Sequence, residues 1–274
     1  MAEPKFKLAG NSITSTIENK NRKEVLINAP ACWLEDYEEE ISRSLNKRYS
    51  ERYDLKGNSI EYTLIIQYKI YIPLKTNSKI IVEVRFKAEG ELIMNKIPMV
   101  VVSAEKVSAA KNALERGINN YWNNQYTLEI IDPICGKKNL DIHYQVIWVE
   151  TGEHYKLSIA DTSLREGVSL KLMSASSTTT EFTFAHEFAH CLGIPDEYST
   201  AEEDRTLRYY KPDGTLDISI DAPVDGKSIT DPGATIMSAT DCPIRLKRHA
   251  WNIAIEAQDV LTKKIGRKIK CNII

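Results

Sequence analysis

The sequence predicts an α+β protein, and two observations carry that expectation. Residues 59–72 (SIEYTLIIQYKIYI) and 78–88 (SKIIVEVRFKA) alternate and are rich in β-branched and aromatic side chains, as strands are. Elsewhere, as in Val107, Ala110, Leu114, Ile118 and Trp122, apolar residues recur at helical spacing. With 274 residues, 42% of them hydrophobic, the chain can bury a sizeable core as one large domain or two smaller ones.

Taken in order, residues 31–53 are charged and periodic enough for a helix, and the two alternating runs follow as strands. Residues 1–97 therefore read as a helix-plus-strands region, an α/β start to the chain. A second region, 98–274, opens with a short buried strand at 100–102 and Ser103 as N-cap of the helix through Trp122. Strands are expected at 127–131, 140–149, 155–159 and 169–173, then a helix beginning near Thr183, and a polar loop at 199–234 dense in Asp, Gly and Pro. From Cys242 the chain turns helical again, with Pro243 in an opening position and Ile244, Trp251, Ile255 and Leu261 near one face. The basic run KKIGRKIK, 263–270, supplies cations where a helix C-terminus favours them.

Composition excludes several classes of function. Thirty-six Lys and Arg against 38 Asp and Glu leave a net charge of -2, without the basic footprint that nucleic-acid binding needs. The opening MAEPKFKLAGNS has no apolar stretch of signal-peptide length, and no segment has the apolar length of a membrane span. Five cysteines without a CxxC pair read as buried, reduced thiols. His143 and His154, in strand-like surroundings, read as structural or surface residues, and the acidic stretch 217–233 as turn chemistry.

The stretch that carries chemistry is TFAHEFAHCLGIPDEYS, 183–199. Four residues apart on a helix, His186 and His190 share one face and are placed to hold a single ion. Glu187, rotated about a hundred degrees from His186, reaches a water on that ion without being a ligand. Phe184, Phe188 and Leu192 form an apolar stripe on the opposite side. Gly193 then offers the left-handed stop that lets the chain turn back beneath the ion.

The string HEFAHCLGIPD resembles the metzincin clan of zinc metallopeptidases, whose members carry HExxHxxGxxH or HExxHxxGxxD. The resemblance implies a zincin-like catalytic domain over 98–274, with a mixed β-sheet, an active-site helix and a C-terminal helix. It implies Zn²⁺ as cofactor, His186 and His190 as ligands, Glu187 as general base and Asp196 as third ligand. Glu197, a carboxylate at the same turn, is the alternative to Asp196. Met237 in ATIMSAT, forty-one residues after Asp196, takes the place of the clan's turn methionine. The clan's tyrosine after that methionine is missing, since Ser238 and Ala239 stand there. Tyr198, Tyr209, Tyr210 and His249 are then the candidates to stabilise the oxyanion, with His249 preferred. The resemblance also brings Cys191 and Cys242 together beneath the metal, which allows a disulfide in an oxidising compartment.

These expectations amount to a zinc endopeptidase acting on a protein or peptide substrate paired to an edge strand near 169–173. A zinc-stabilised non-catalytic binding protein and a hydrolase of cell-wall peptide crosslinks are the alternatives. The segment HEFAHCLGIPDEY followed by IMS and RH is similar to metallopeptidase domains that bacteria deliver into rivals through contact-dependent machines such as the type VI apparatus. That likeness implies an antibacterial toxin with an immunity protein or secretion-apparatus partner. It would be cytoplasmic in the producing cell and reach a target periplasm by a non-classical route.

Overall fold

Alternating burial in the segments richest in isoleucine, valine and tyrosine sets the frame of the molecule. Ile66, Tyr68, Ile70 and Ile72 in one strand and Ile80, Val82, Val84 and Phe86 in the next are fully buried, while the residues between them are only partly covered. A sheet with one packed face imposes this period of two.

The structure is a computed structural model that describes residues 5–9, 12–16, 32–45, 47–54, 56–93, 100–162, 166–198, 204–218, 235–238 and 242–274. Its strands are β1 (Lys5–Ala9), β2 (Ser12–Thr16), β3 (Tyr37–Leu45), β4 (Ser50–Asp54), β5 (Ser59–Ile60), β6 (Leu64–Ile72), β7 (Ile80–Gly90), β8 (Leu92–Ile93), β9 (Val100–Val101), β10 (Thr127–Asp132), β11 (Gly136–Trp148), β12 (Tyr155–Ala160), β13 (Gly167–Ser169), β14 (Leu172–Ser176), β15 (Asp204–Tyr209) and β16 (Lys270–Ile273). The helices are α1 (Ala104–Tyr121), α2 (Glu181–Cys191) and α3 (Trp251–Ile265), the last entered through a 3-10 turn at Lys247–Ala250.

Among the described residues nine strands form one mixed sheet, in the order β13, β14, β12, β7, β11, β10, β16, with β6 joined to β7 and β3 to β6. Strand β7 is parallel to β11 and β12, and β12 is parallel to β14; the other pairs are antiparallel. One edge of β7 serves two strands in turn. Strand β6 pairs with it only from Lys69↔Glu83 to Tyr71↔Ile81, and β12 takes over from Tyr155↔Phe86. The sheet therefore forks, and the Tyr155 hydroxyl fills the fork: it accepts from the Gln67 N–H at 3.0 Å and lies 2.9 Å from the Cys191 carbonyl.

Helices α1 and α2 cross at a glycine. A Cβ on Gly117 would stand 2.3 Å from the Glu181 carbonyl oxygen, so no other residue lets the two backbones approach this closely. Nearby the Trp122 indole N–H donates to the Ala185 carbonyl at 2.7 Å. As expected, Ser103 caps α1, and Ala110, Leu114, Ile118 and Trp122 are buried.

The structure is α+β with a mixed sheet, and it corrects several expected elements. Residues 31–53 hold β3 and β4, not a helix. The charges that read as a helix lie on a sheet and are used across it: Glu38 pairs with Lys69, Glu40 with Arg85 and Arg43 with Glu256. Strand β9 is not buried: Val100 and Val101 are 45% and 51% exposed, and only Val102 is covered. The expected loop at 199–234 contains β15, paired to β4, while 219–234 lie outside the described residues. Helix α3 begins at Trp251, and the basic tail runs on into β16. Division at 97 and 98 cuts through a single sheet and core, because β7 is a central strand. Cys32 and Cys135 form a disulfide across 103 residues, whereas Cys191 and Cys242 do not pair. No helix among the described residues is long and apolar enough to cross a membrane.

Gly117→Ala tests the helix crossing through the sign of its effect. In an exposed helix this change would stabilise by about 1 kcal/mol. At this contact it is expected to cost about 1–3 kcal/mol in urea unfolding, as overpacking does, and a gain in stability would refute the close approach.

Candidate metal centre

Helix α2 is fixed before it presents any chemistry. The Thr180 hydroxyl accepts from the Thr183 N–H at 3.1 Å and caps its start. Phe184, Phe188 and Leu192 are fully buried, which turns the opposite side toward a cleft. Gly193, at φ 85°, ends the helix, and a Cβ built on it would stand 2.4 Å from the Ile66 Cδ1 methyl group. The reversal then returns Asp196 to the histidines.

Both imidazoles are oriented by main-chain carbonyls. His186 Nδ1 lies 2.8 Å from the Ile236 oxygen and His190 Nδ1 lies 2.7 Å from the Ile194 oxygen. A carbonyl only accepts, so each Nδ1 carries the proton and each Nε2 presents its other face to the site. There one oxygen, Asp196 Oδ1, stands 3.0 Å from His186 Nε2 and 3.3 Å from His190 Nε2. Two imidazole nitrogens and a carboxylate oxygen thus converge around a position that calls for positive charge. Without a metal a proton supplies it: burial lowers His190, but Asp196 and Glu187 outweigh that and push it up to about 9. Burial likewise raises Asp196, yet the two imidazoles hold its carboxyl far below the ordinary range.

Glu187 is different. Its Oε2 is buried, has no hydrogen-bond partner among the described residues, and lies 4.0 Å from His190 Nε2. Burial raises its pKa, opposed by the histidines. An orphaned carboxylate oxygen, two oriented imidazoles and a shared aspartate oxygen fit a divalent cation with a bound water, the donor set of a catalytic zinc. His186, Glu187 and His190 also lie close enough to one another to share an ion.

Beneath them runs the turn Thr235 to Ser238. Met237 is fully buried in it, the Ile236 carbonyl holds His186, and the Met237 carbonyl accepts from the Glu197 N–H at 2.8 Å. Glu197 is not at the cation position. Its side chain is 1% exposed and accepts from Thr235 Oγ1 at 2.6 Å, Arg248 Nε at 2.6 Å and His249 Nε2 at 3.0 Å. Of the two carboxylates expected at this turn, Asp196 is the one that faces the histidines.

The preferred oxyanion residue is corrected by the same contacts. His249 is fully buried, accepts from the Leu246 N–H at Nδ1 and gives its Nε2 proton to Glu197, so no substrate reaches it. Tyr209 is buried, and the Tyr210 hydroxyl donates to Glu51. Tyr198 alone of the four lines the cleft, its ring stacked on His186 at 6.4 Å.

The cleft, about 560 Å³, is bounded by β13 and Leu170 on one side and by Arg52, Tyr62 and residues 63–65 on the other. The expected edge strand at 169–173 is instead the end of β13, a turn and the start of β14, and the edge strand that lines the cleft is β13. The far wall comes from the first hundred residues, and so did not enter the sequence reading; no local signal marks Arg52, whose place depends on a contact 144 residues away. His154 is a buried residue whose Nδ1 accepts from the Arg85 N–H.

No protein-family model, curated protein or solved structure matches this chain.

Glu197 gives a stability prediction with a defined sign. Burial raises its carboxyl, but His249 and Arg248 hold it well below its ordinary 4.5 in the folded state. Its contribution is therefore fully present above pH 4.5 and lost as the pH falls below it. Glu197→Ala, which removes the buried carboxylate to which Arg248 and His249 donate, is expected to cost about 3–5 kcal/mol at pH 7 in urea unfolding of the metal-free protein. The variant should also lose less stability than wild type on acidification; parallel acid limbs would contradict the assignment.

Proposed function

We propose that this chain is a zinc-dependent endopeptidase of metzincin type, in which His186, His190 and Asp196 hold the metal. The convergence of both Nε2 atoms on Asp196 Oδ1, beside the unpartnered Oε2 of Glu187, carries the reading. Zincin architecture is part of the proposal, supported by the mixed sheet, the helix α2 and the buried methionine turn that holds His186.

Zinc, when bound, supplies Lewis acidity to a water and to the scissile carbonyl. Glu187 takes the proton of that water at Oε2 and gives it to the leaving amine. Its burial favours this exchange, because a raised carboxyl pKa brings the base closer to its working pH. Asp196 and the two carbonyls that fix the imidazole protons keep the ligands aimed at one point. Tyr198, in the cleft and stacked on His186, replaces His249 as donor to the developing oxyanion. Strand β13 ends the sheet and lines the cleft, so an extended peptide can add to it through main-chain hydrogen bonds. A catalytic base with its own orphaned oxygen favours turnover over a purely structural zinc site. The Cys32–Cys135 disulfide favours work in an oxidising compartment, which accords with a toxin acting in a target periplasm.

Elemental analysis of the purified protein tests the metal assignment. Wild type and Glu187→Ala are expected to hold about one zinc per chain, and His186→Ala and Asp196→Ala to lose it. A wild type without zinc after reconstitution ends the metallopeptidase reading. On peptide substrates Glu187→Ala should lower kcat by about 10²–10⁴-fold, and Tyr198→Phe should lower kcat with zinc content unchanged; full activity in either variant removes that residue from the mechanism.

A further inference from the structure

We propose that Glu166 sets the specificity of the cleft by taking a cationic group of the substrate. The inference rests on the peptidase reading and adds a substrate class to it: peptides that bring an ammonium or guanidinium to the β13 side. Three carboxylates line the cleft, Glu166, Glu187 and Asp196. Two of them belong to the histidine cluster, Asp196 between His186 and His190, and Glu187 at 4.0 Å from His190. Glu166 stands apart from that cluster, and no lysine, arginine or histidine pairs with it among the described residues. Its hydrogen bond there comes from the Thr179 hydroxyl, which donates to Oε1 at 3.0 Å. A carboxylate accepts at both oxygens, so Oε2 is left for a ligand.

The same contact aims the group. Thr179 is buried, and its Oγ1 accepts from the Ser176 N–H at 2.8 Å, at the end of β14. The next residue, Thr180, caps α2. The Glu166 carboxylate is thus tied to the junction between β14 and the helix that carries the histidines, which leaves it less freedom to lose on binding. Glu166 also directly precedes β13, which lines the cleft as an edge of the sheet. A peptide that adds to this edge in extended form passes the carboxylate, and every second side chain can turn toward it. Leu170, 60% exposed on the same wall, gives the apolar stem of a lysine or arginine a surface to lie on. The cation comes from such a side chain or from a peptide N-terminus; both bring a charged donor to Oε2.

The test uses zinc-loaded full-length protein and quenched-fluorescence decapeptides that carry one lysine at successive positions. Each has an acetyl-lysine counterpart, which keeps the stem and removes the charge, and each is made with a free and with an acetylated N-terminus. For wild type the best cationic peptide is expected to exceed its neutral counterpart about tenfold in kcat/KM, and the ratio should shrink at high salt. Glu166→Gln, whose amide oxygen can still accept from Thr179, should bring the ratio towards one by slowing cleavage of the cationic member. Dependence on lysine identifies a side-chain cation, and dependence on the free terminus identifies an N-terminal one. A wild-type ratio near one overturns the proposal, as does an equal loss on both members of a pair in Glu166→Gln, which is what a residue that only anchors Thr179 would give. Anisotropy binding of the same peptides to Glu187→Ala in the presence of zinc, with and without Glu166→Gln, separates the two readings. Absence of cleavage by wild type counts against the peptidase, while equal affinity for charged and neutral peptides, or no binding of either, counts against Glu166.

Discussion

Glu197 is the group on which the candidate site depends. A carboxylate that is 1% exposed is several kcal/mol too costly to bury alone, so its donors must be in place together. Those donors come from two separate stretches: Thr235 from the methionine turn, and Arg248 and His249 from the entry to α3, while its own N–H reaches the Met237 carbonyl. Satisfying one buried charge therefore locks the loop after α2, the turn beneath it and the start of α3 into one arrangement. Two features of the candidate site are consequences: Asp196 is adjacent in sequence, and the Ile236 carbonyl that orients His186 belongs to the same turn.

A second buried acid does the same for the first hundred residues. Glu256 on α3 is fully buried and takes Arg43, Arg48 and the Tyr49 hydroxyl, all from β3 and the chain after it. Tyr49 in turn packs where a side chain on Gly193 would be, its ring 2.9 Å from that position. The same segment delivers Arg52 to the Asp196 carbonyl. Residues before 98 are thus part of the cleft, and the reversal after α2 is shaped by them as well as by its own glycine.

What was legible in the sequence was local. The i, i+4 histidines, the Phe184, Phe188 and Leu192 stripe, the Ser103 cap and the Gly193 stop all follow from helix geometry, and the strands that alternate strictly were found with ends off by a few residues. Long-range electrostatics was not legible. Strand β3 reads as helical because its charges, taken alone, look like a solvated helix face; only the ion pairs to β6, β7 and α3 explain them on a sheet. His249 was attractive as an oxyanion group because it follows the methionine turn, but nothing local reveals that its Nδ1 is occupied by the Leu246 N–H. The disulfide was hidden for the same reason, since Cys32 and Cys135 are 103 residues apart and no spacing pattern links them.

Three carboxylates within eleven residues show why residue type alone does not assign a role. Glu187 is buried without a partner, which raises its pKa and leaves an oxygen able to accept a proton. Asp196 sits between two imidazoles that keep it ionised, which suits a ligand and would spoil a base. Glu197 is also kept ionised, but by Arg248 and His249 inside the core, where no substrate or solvent reaches it. Exchange the environments of Asp196 and Glu197 and the pattern HExxHxxGxxD would survive in the sequence while the histidine pair lost the carboxylate oxygen that completes the donor set. The environments follow from which way each side chain leaves the main chain, and that direction is set by the Met237 carbonyl holding the Glu197 N–H and by Arg52 holding the Asp196 carbonyl. Two hydrogen bonds to the main chain of neighbouring residues, one from each half of the chain, thus separate the carboxylate that faces the histidines from the one that serves the fold.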